Sequence, residues 1–328
     1  MAVGDTLPNC DGTGTQQDPY IFTTEQGLKE AIAVSGAYVE AGENNLVFDV
    51  NNGVLDKHFR FNGYRFNGKG LTIRNLYVNS SEVSDNYDMI KINNHGGIVS
   101  NTNFYNCYMY VDTYSIYRLI SGSEGHTYWN NCNFTCIMKL KTGASSTYLT
   151  YVYEEYIHFT DCTFNINMDV ERANYSSGFS LIGDSRNHNV FTNCTLCFSG
   201  KVHSTSASSV DLFLTSYSEY KNCTFMNSSS NPLIVGSDAS HAGRITMTFG
   251  DGSTQNYIKL YATGLGATNY FETGTDDSEV LLNVSKLTNF NVSGGCIKMQ
   301  ETNPSGDDYI YSAANLASNN FTVGTEVE

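Results

Sequence analysis

Phe104-Tyr105-Asn106-Cys107-Tyr108-Met109, Trp129-Asn130-Asn131-Cys132-Asn133-Phe134, Phe159-Thr160-Asp161-Cys162-Thr163-Phe164, Phe191-Thr192-Asn193-Cys194-Thr195-Leu196 and Tyr220-Lys221-Asn222-Cys223-Thr224-Phe225 follow one pattern. A large apolar residue stands two places before an Asn or Asp, a Cys one place after it, and another large apolar residue three places after it. Upstream, Ile73, Asn75, Leu76 and Val78 extend the pattern; downstream, Leu287, Asn289, Phe290 and Val292 do so. From Asn75 to Asn222 the intervals are 31, 25, 30, 32 and 29 residues. The gap of 67 from Asn222 to Asn289 is about two repeats, with Ile245, Met247 and Phe249 marking the one between.

After each Asn the apolar period is two, as on a strand with one buried face. Across the Asn it breaks to three. A single residue that shifts the phase is a bend, and Asn tolerates the left-handed backbone that a sharp bend needs. Repeats of about 30 residues stack as coils of a solenoid. Stacking puts equivalent positions above one another, so Asn side chains are expected to form a hydrogen-bonded ladder, with Cys and aromatic rings in columns inside. The predicted fold is all-β: a right-handed single-stranded parallel β-helix with a short N-terminal helical cap and an irregular C-terminal cap.

The Asn-Cys pattern, over roughly residues 70 to 295, resembles the pectate-lyase-like parallel β-helix superfamily. That superfamily includes polysaccharide lyases, glycoside hydrolases and bacteriophage tailspikes and other virion proteins. The resemblance implies the fold and leaves the activity open.

Composition fits an all-β chain. Only 16% of residues are charged, against about 25% in an average soluble protein. Tyr (23) and Phe (18) are abundant and Pro (4) is scarce, as in strands rather than helices. The net charge of −15 repels phosphate backbones and anionic polysaccharides, so a nucleic-acid partner is not expected. No apolar run is long enough to span a bilayer, so membrane insertion is not expected either. Met1 to Asp5 has neither the basic nor the apolar part of a secretory signal, which predicts folding in a cytoplasm. The nine cysteines, an odd number, are expected as buried free thiols. Cys194-Thr195-Leu196-Cys197 has no second Cys-x-x-Cys, so neither a metal nor any other cofactor is expected.

The expected organisation is a strand-helix cap over residues 1–40, coils over 41–240, and final coils with a capping or attachment region over 241–328. In the first cap, Tyr20 to Phe22 reads as a strand, Thr23 with Gln26 as a capping box, and Leu28, Ala31 and Ile32 as the apolar face of a helix. The Gly-Thr, Pro-Tyr and Leu-bearing-helix order of this opening is similar to the starts of bacterial surface and phage β-helices. Residues 308–316 read as a strand or short helix.

Enzymes of the superfamily carry recognisable motif sets, and none is complete here. Gly125-His126 lacks a second Gly, and Lys91-Ile92 lacks a preceding Arg. A glycosidase needs two carboxylates about 5–10 Å apart. The candidates are Asp112, Glu124, Glu154 and Glu155, each otherwise a solvated loop acid. His95, His126 and His158 recur at similar spacing and read as a surface row rather than a triad, since no nucleophile motif accompanies them. Tyr114, Tyr117, Tyr151 and Tyr153 are the candidate ligand-binding residues, because exposed tyrosines offer flat faces to sugar rings and good protein contacts.

The function expected from the resemblance is that of a bacteriophage virion structural protein, a tail spike or fibre or a capsid decoration. It would sit on the virion surface after synthesis in the host cytoplasm. Its partners would be other virion proteins and a host-surface polysaccharide or receptor. The same resemblance implies a homotrimer for a spike, while a single copy anchored on a capsid fits the residues equally. The alternatives are a polysaccharide-degrading enzyme of the depolymerase type and a bacterial surface adhesin.

Overall fold

A computed structural model describes residues 1–83, 87–112, 116–122, 125–141, 146–152, 156–172, 179–182, 188–204, 210–213, 219–221, 223–227 and, beyond these, only the strands named below. The chain forms a parallel β-solenoid, as the repeat predicts. Among the described residues its strands run into two long sheets, one of 17 strands and one of 10. Strands pair in parallel from coil to coil, with Trp129 lying between Val99 and Phe159, and Phe134 between Phe104 and Phe164. The strands Arg244–Phe249, Ile258–Ala262, Glu279–Val284 and Ile297–Gln300 continue these sheets past residue 240. Asn291–Val292 and Ile234–Val235 add short segments, and Tyr309–Tyr311 pairs antiparallel with Ile297–Gln300. Asn222, Asn289 and Phe290 lie outside the described residues.

The bends are where the repeat puts them. Asn75, Asn106, Asn131, Asp161 and Asn193 all have φ between 51° and 67°. Asn and Asp accept this left-handed geometry because their short polar side chains can bond locally. The ladder also forms, but as two separate columns. Asn106 donates from Nδ2 to Asn75 Oδ1 at 2.7 Å, and Asn75 donates to Asp49 Oδ1 at 2.7 Å. That amide, first among the causes, holds the Asp49 carboxyl below the usual carboxylate range. At a second corner Asn131 donates to Asn101 Oδ1 at 2.8 Å, Asn101 donates to Asn67 Oδ1 at 2.9 Å, and Asn193 donates to Asp161 Oδ1 at 3.1 Å.

This corrects the register of the repeat. Asn131-Cys132 does not sit above Asn106-Cys107. It sits above Asn101-Thr102, while Cys107 lies beside Cys136. With Asn101 in place of Asn106, the irregular interval of 25 becomes 30. The pattern misleads because Thr102, fully buried, fills the cysteine's place in that coil.

Burial alternates as a solenoid requires. In Asn133–Leu140 the even positions Phe134, Cys136, Met138 and Leu140 are buried. Phe104, Phe134 and Phe164 stack with centroids 5.4 and 5.1 Å apart. Trp129 meets Phe134 edge-on at 5.6 Å, and Phe159 meets Phe164 edge-on at 5.1 Å. The N-terminal cap covers the first coil with Tyr20–Phe22 and the helix Glu25–Ile32, whose buried face is Gly27, Leu28, Ala31 and Ile32. The cap residue is Thr24, one place later than expected. Its hydroxyl accepts from Gly27 N at 3.1 Å, and Gln26 donates to Glu30 rather than closing a capping box.

Cys107, Cys132, Cys136, Cys162 and Cys194 are buried and in no disulfide. Cys162 Sγ lies 3.3 Å from the Trp129 carbonyl, and Cys194 Sγ 3.5 Å from that of Phe159, each one coil away. Burial pushes the Cys136 and Cys162 thiols well up, with neighbouring thiols adding to it. Half-buried Cys10 is raised to about 11 by burial and by Glu30 and Asp11. Folding therefore raises these values above the ordinary thiol pKa of 9.0. The stability that the protonated thiols contribute is complete below that value and is lost as pH climbs through the native ones. Urea midpoints are expected to fall as pH rises from about 9 to about 11. Peptide mapping after alkylation at pH 8 is expected to find the five buried cysteines unmodified until the chain is unfolded. Native-state adducts on Cys132 or Cys162 would contradict the assigned packing.

Candidate functional site

Two surface features stand out on the outer face of the coils. The first arises from the bend at Asn106. The strand Ile98–Val111 pairs with Asn133–Leu140 through Phe104–Phe134 and then Cys107–Cys136. Tyr105 and Asn106 thus face the single residue Thr135, which is a β-bulge. Bulges re-aim side chains and recur beside functional sites. Here the bent coil meets straight strands, Asn133–Leu140, Thr163–Arg172 and Thr195–Ser204, and the mismatch leaves a groove of about 200 Å³.

Tyr105, Asn106, Thr135, Ile137, Asn165, Asn167, half-exposed Cys197 and Ser199 form its outer lining, over buried Cys136 and Ile166. Tyr105 is 55% exposed and Ile137 36%. Asn167 donates to Ser199 Oγ at 3.1 Å. Amides and hydroxyls line the groove, with one aromatic side chain, one aliphatic side chain and the Cys197 thiol; no charged side chain does so among the described residues. The nearest ion pair along these strands is Lys139–Asp169 at 3.5 Å, two residues beyond Ile137 and Asn167. Beside the groove, Tyr77 and Tyr108 stack at 5.6 Å and 8°.

The second feature lies on the strands Thr127–Asn130 and Tyr156–Thr160. The register Thr127–Ile157 and Tyr128–His158 sets His126 beside Tyr156. Four rings result, in a checkerboard. His126 stacks on Tyr156 at 4.6 Å and Tyr128 on His158 at 4.7 Å. His126 Nδ1 and His158 Nε2 are 3.0 Å apart and share a hydrogen bond. His95, exposed on the preceding coil, reaches over Gly125, where a β-carbon would meet its Nδ1 at 1.5 Å. The row of histidines read from sequence is therefore present, with its second and third members in contact.

The other expected site residues are dispersed. Tyr117 is buried in the core at 0% exposure, which removes it from any ligand-binding surface. Its strand, Ile116–Gly122, pairs in register with Tyr87–Ile92, and the side-chain alternation of this sheet turns Tyr117 inward. Tyr151 lies in the strand Ser146–Val152, opposite Ser121. Asp112 is exposed at a strand end, accepting from the Tyr110 hydroxyl at 3.4 Å, and its backbone N–H donates to Ser80 Oγ. Tyr114, Tyr153, Glu124, Glu154 and Glu155 lie outside the described residues.

Sequence reasoning missed the groove. Its signal was the irregular interval of 25 residues, together with Thr135 standing where an Asn would bend the chain before Cys136. No family model, curated protein or solved structure matches this chain. Among the described residues no helix is long and apolar enough to cross a membrane.

Proposed function

We propose that this chain is a bacteriophage virion structural protein, a tail spike or fibre or a capsid decoration, whose solenoid flank holds a neutral host-surface glycan in the groove at Tyr105. The observation that carries the binding role is the groove's lining: an exposed aromatic ring among amides and hydroxyls, without charge among its described residues. A tyrosine face packs against the C–H face of a sugar ring while its hydroxyl stays wet. Asn side chains both donate and accept, which matches sugar hydroxyls. A net charge of −15 disfavours acidic polysaccharides and leaves neutral ones. Binding without cleavage is proposed, since glycosidic hydrolysis requires two carboxylates and the described lining has none. The virion setting rests on the resemblance of the Asn-Cys coils.

The test is a titration of the full chain with neutral oligosaccharides of hexose and N-acetylhexosamine units. Tyr105→Ala and Asn167→Ala are each expected to weaken binding about tenfold, or about 1.4 kcal/mol. Affinity unchanged in both variants, or no binding to any neutral glycan, would discard the groove. Labelling purified particles with an antibody to the chain tests the setting. Protein found free and never on particles would discard that part.

A further inference from the structure

We propose that His126 and His158 form a two-imidazole site for a divalent transition metal such as Ni²⁺, Zn²⁺ or Cu²⁺. Their facing nitrogens, Nδ1 and Nε2, are 3.0 Å apart. Metal–nitrogen bonds of about 2.0–2.1 Å at the tetrahedral angle set two ligands about 3.3–3.4 Å apart. Metal entry moves the shared proton, through solvent, to the outward nitrogen of the ring that donates it, and the facing nitrogens open by only a few tenths of an ångström. Each neutral imidazole then keeps its one proton on the nitrogen turned away from the metal. Imidazole is a ligand these ions favour.

The rings are already held for this. Tyr156 lies against His126 at 11° and Tyr128 against His158 at 12°. His158 lies in the paired strand Tyr156–Thr160, and His126 directly precedes Thr127–Asn130, its carbonyl accepting from Gly96 N at 2.7 Å; both rings are half-buried, so an ion reaches them from solvent. Sites on strands with ring orientation fixed by neighbours are better preorganised than loop sites. The chain's net charge of −15 draws cations to its surface. The buried thiols of Cys107, Cys132, Cys136, Cys162 and Cys194 are closed to an arriving ion. Among the described residues no three His, Cys, Asp or Glu side chains converge, so water completes the coordination.

The site is separate from the groove, and its test does not depend on glycan binding. The full chain, prepared without a histidine tag, is titrated with Ni²⁺ by calorimetry at pH 7.5. One equivalent is expected to bind. His126→Gln and His158→Gln are each expected to weaken this binding at least tenfold, with unchanged far-ultraviolet circular dichroism and thermal midpoint. Lowering the pH to 5.5 is expected to abolish it, because protons compete for imidazole. No Ni²⁺ binding by the unaltered chain, or binding retained by both variants, overturns the proposal. If a Gln variant is misfolded, His126→Asn and His158→Asn serve in its place and are read the same way.

Discussion

Replacing Phe134 with alanine is expected to lower the free energy of unfolding by about 3–5 kcal/mol. The ring is fully buried and touched by aromatic rings on four sides. Phe104 and Phe164 stack on it from the coils before and after, at 5.4 and 5.1 Å. Trp129 and Phe159 meet it edge-on at 5.6 and 6.3 Å. Alanine would leave a void in the middle of the column. Relaxation could fill it only by moving a coil, and each coil is fixed to its neighbours by parallel rungs on both sides. The cost should therefore fall near the upper part of the range rather than be relieved by collapse. Ile137, three residues on and 36% exposed, provides the contrast. Ile137→Ala is expected to change stability by no more than about 0.5 kcal/mol. Trp129 is the only tryptophan and lies against Phe134, so urea unfolding followed by its fluorescence reads the site directly. A loss below about 1 kcal/mol for Phe134→Ala would mean that the ring is not the packed centre of the column.

Much of this was legible from residues because a solenoid is local. Each coil repeats the same alternation, so Phe134 and Phe164 announce their inward face by spacing alone. The bends were legible for the same reason: one residue interrupts the alternation, and Asn is the type that tolerates it. What failed did so where two readings share a signal. Thr23 and Thr24 stand side by side, each followed by residues suited to a first helical turn. Thr102 replaces a cysteine without disturbing burial, so the coil containing Asn101 carries no Cys marker, and Asn106-Cys107 mimics the pattern in its place. The groove was invisible because it comes from pairing a bent strand with straight ones. The contact between His126 and His158 needs a register between strands some 30 residues apart. Tyr117 is not legible because its own strand, Ile116–Gly122, carries no Asn bend to set the phase of inward and outward positions. For the Asn101 coil, the groove and the histidine pair the missing information is a coil-to-coil register, which composition and local spacing do not contain.

The register also assigns a measurable cost to the second Asn column. Asn131 has φ of 51° and donates to Asn101 Oδ1 at 2.8 Å. An alanine there must hold a left-handed backbone with a β-carbon and no local hydrogen bond, at about 1–2 kcal/mol. Losing the bond to Asn101 adds about 0.5–1.5 kcal/mol. Asn131→Ala is therefore expected to destabilise the fold by about 2–3 kcal/mol. Glycine accepts positive φ without that strain. Asn131→Gly should then lose mainly the amide bond and sit about 1 kcal/mol above the alanine variant. Aspartate keeps the backbone geometry, as Asp161 does one coil on with φ of 54°, but its carboxylate cannot donate to Asn101. The order expected from urea midpoints is Asn131 most stable, then glycine, then alanine. Equal losses for alanine and glycine would place the whole cost in the side-chain ladder. A larger loss for glycine would show that its greater freedom in the unfolded chain outweighs the strain it relieves at the bend.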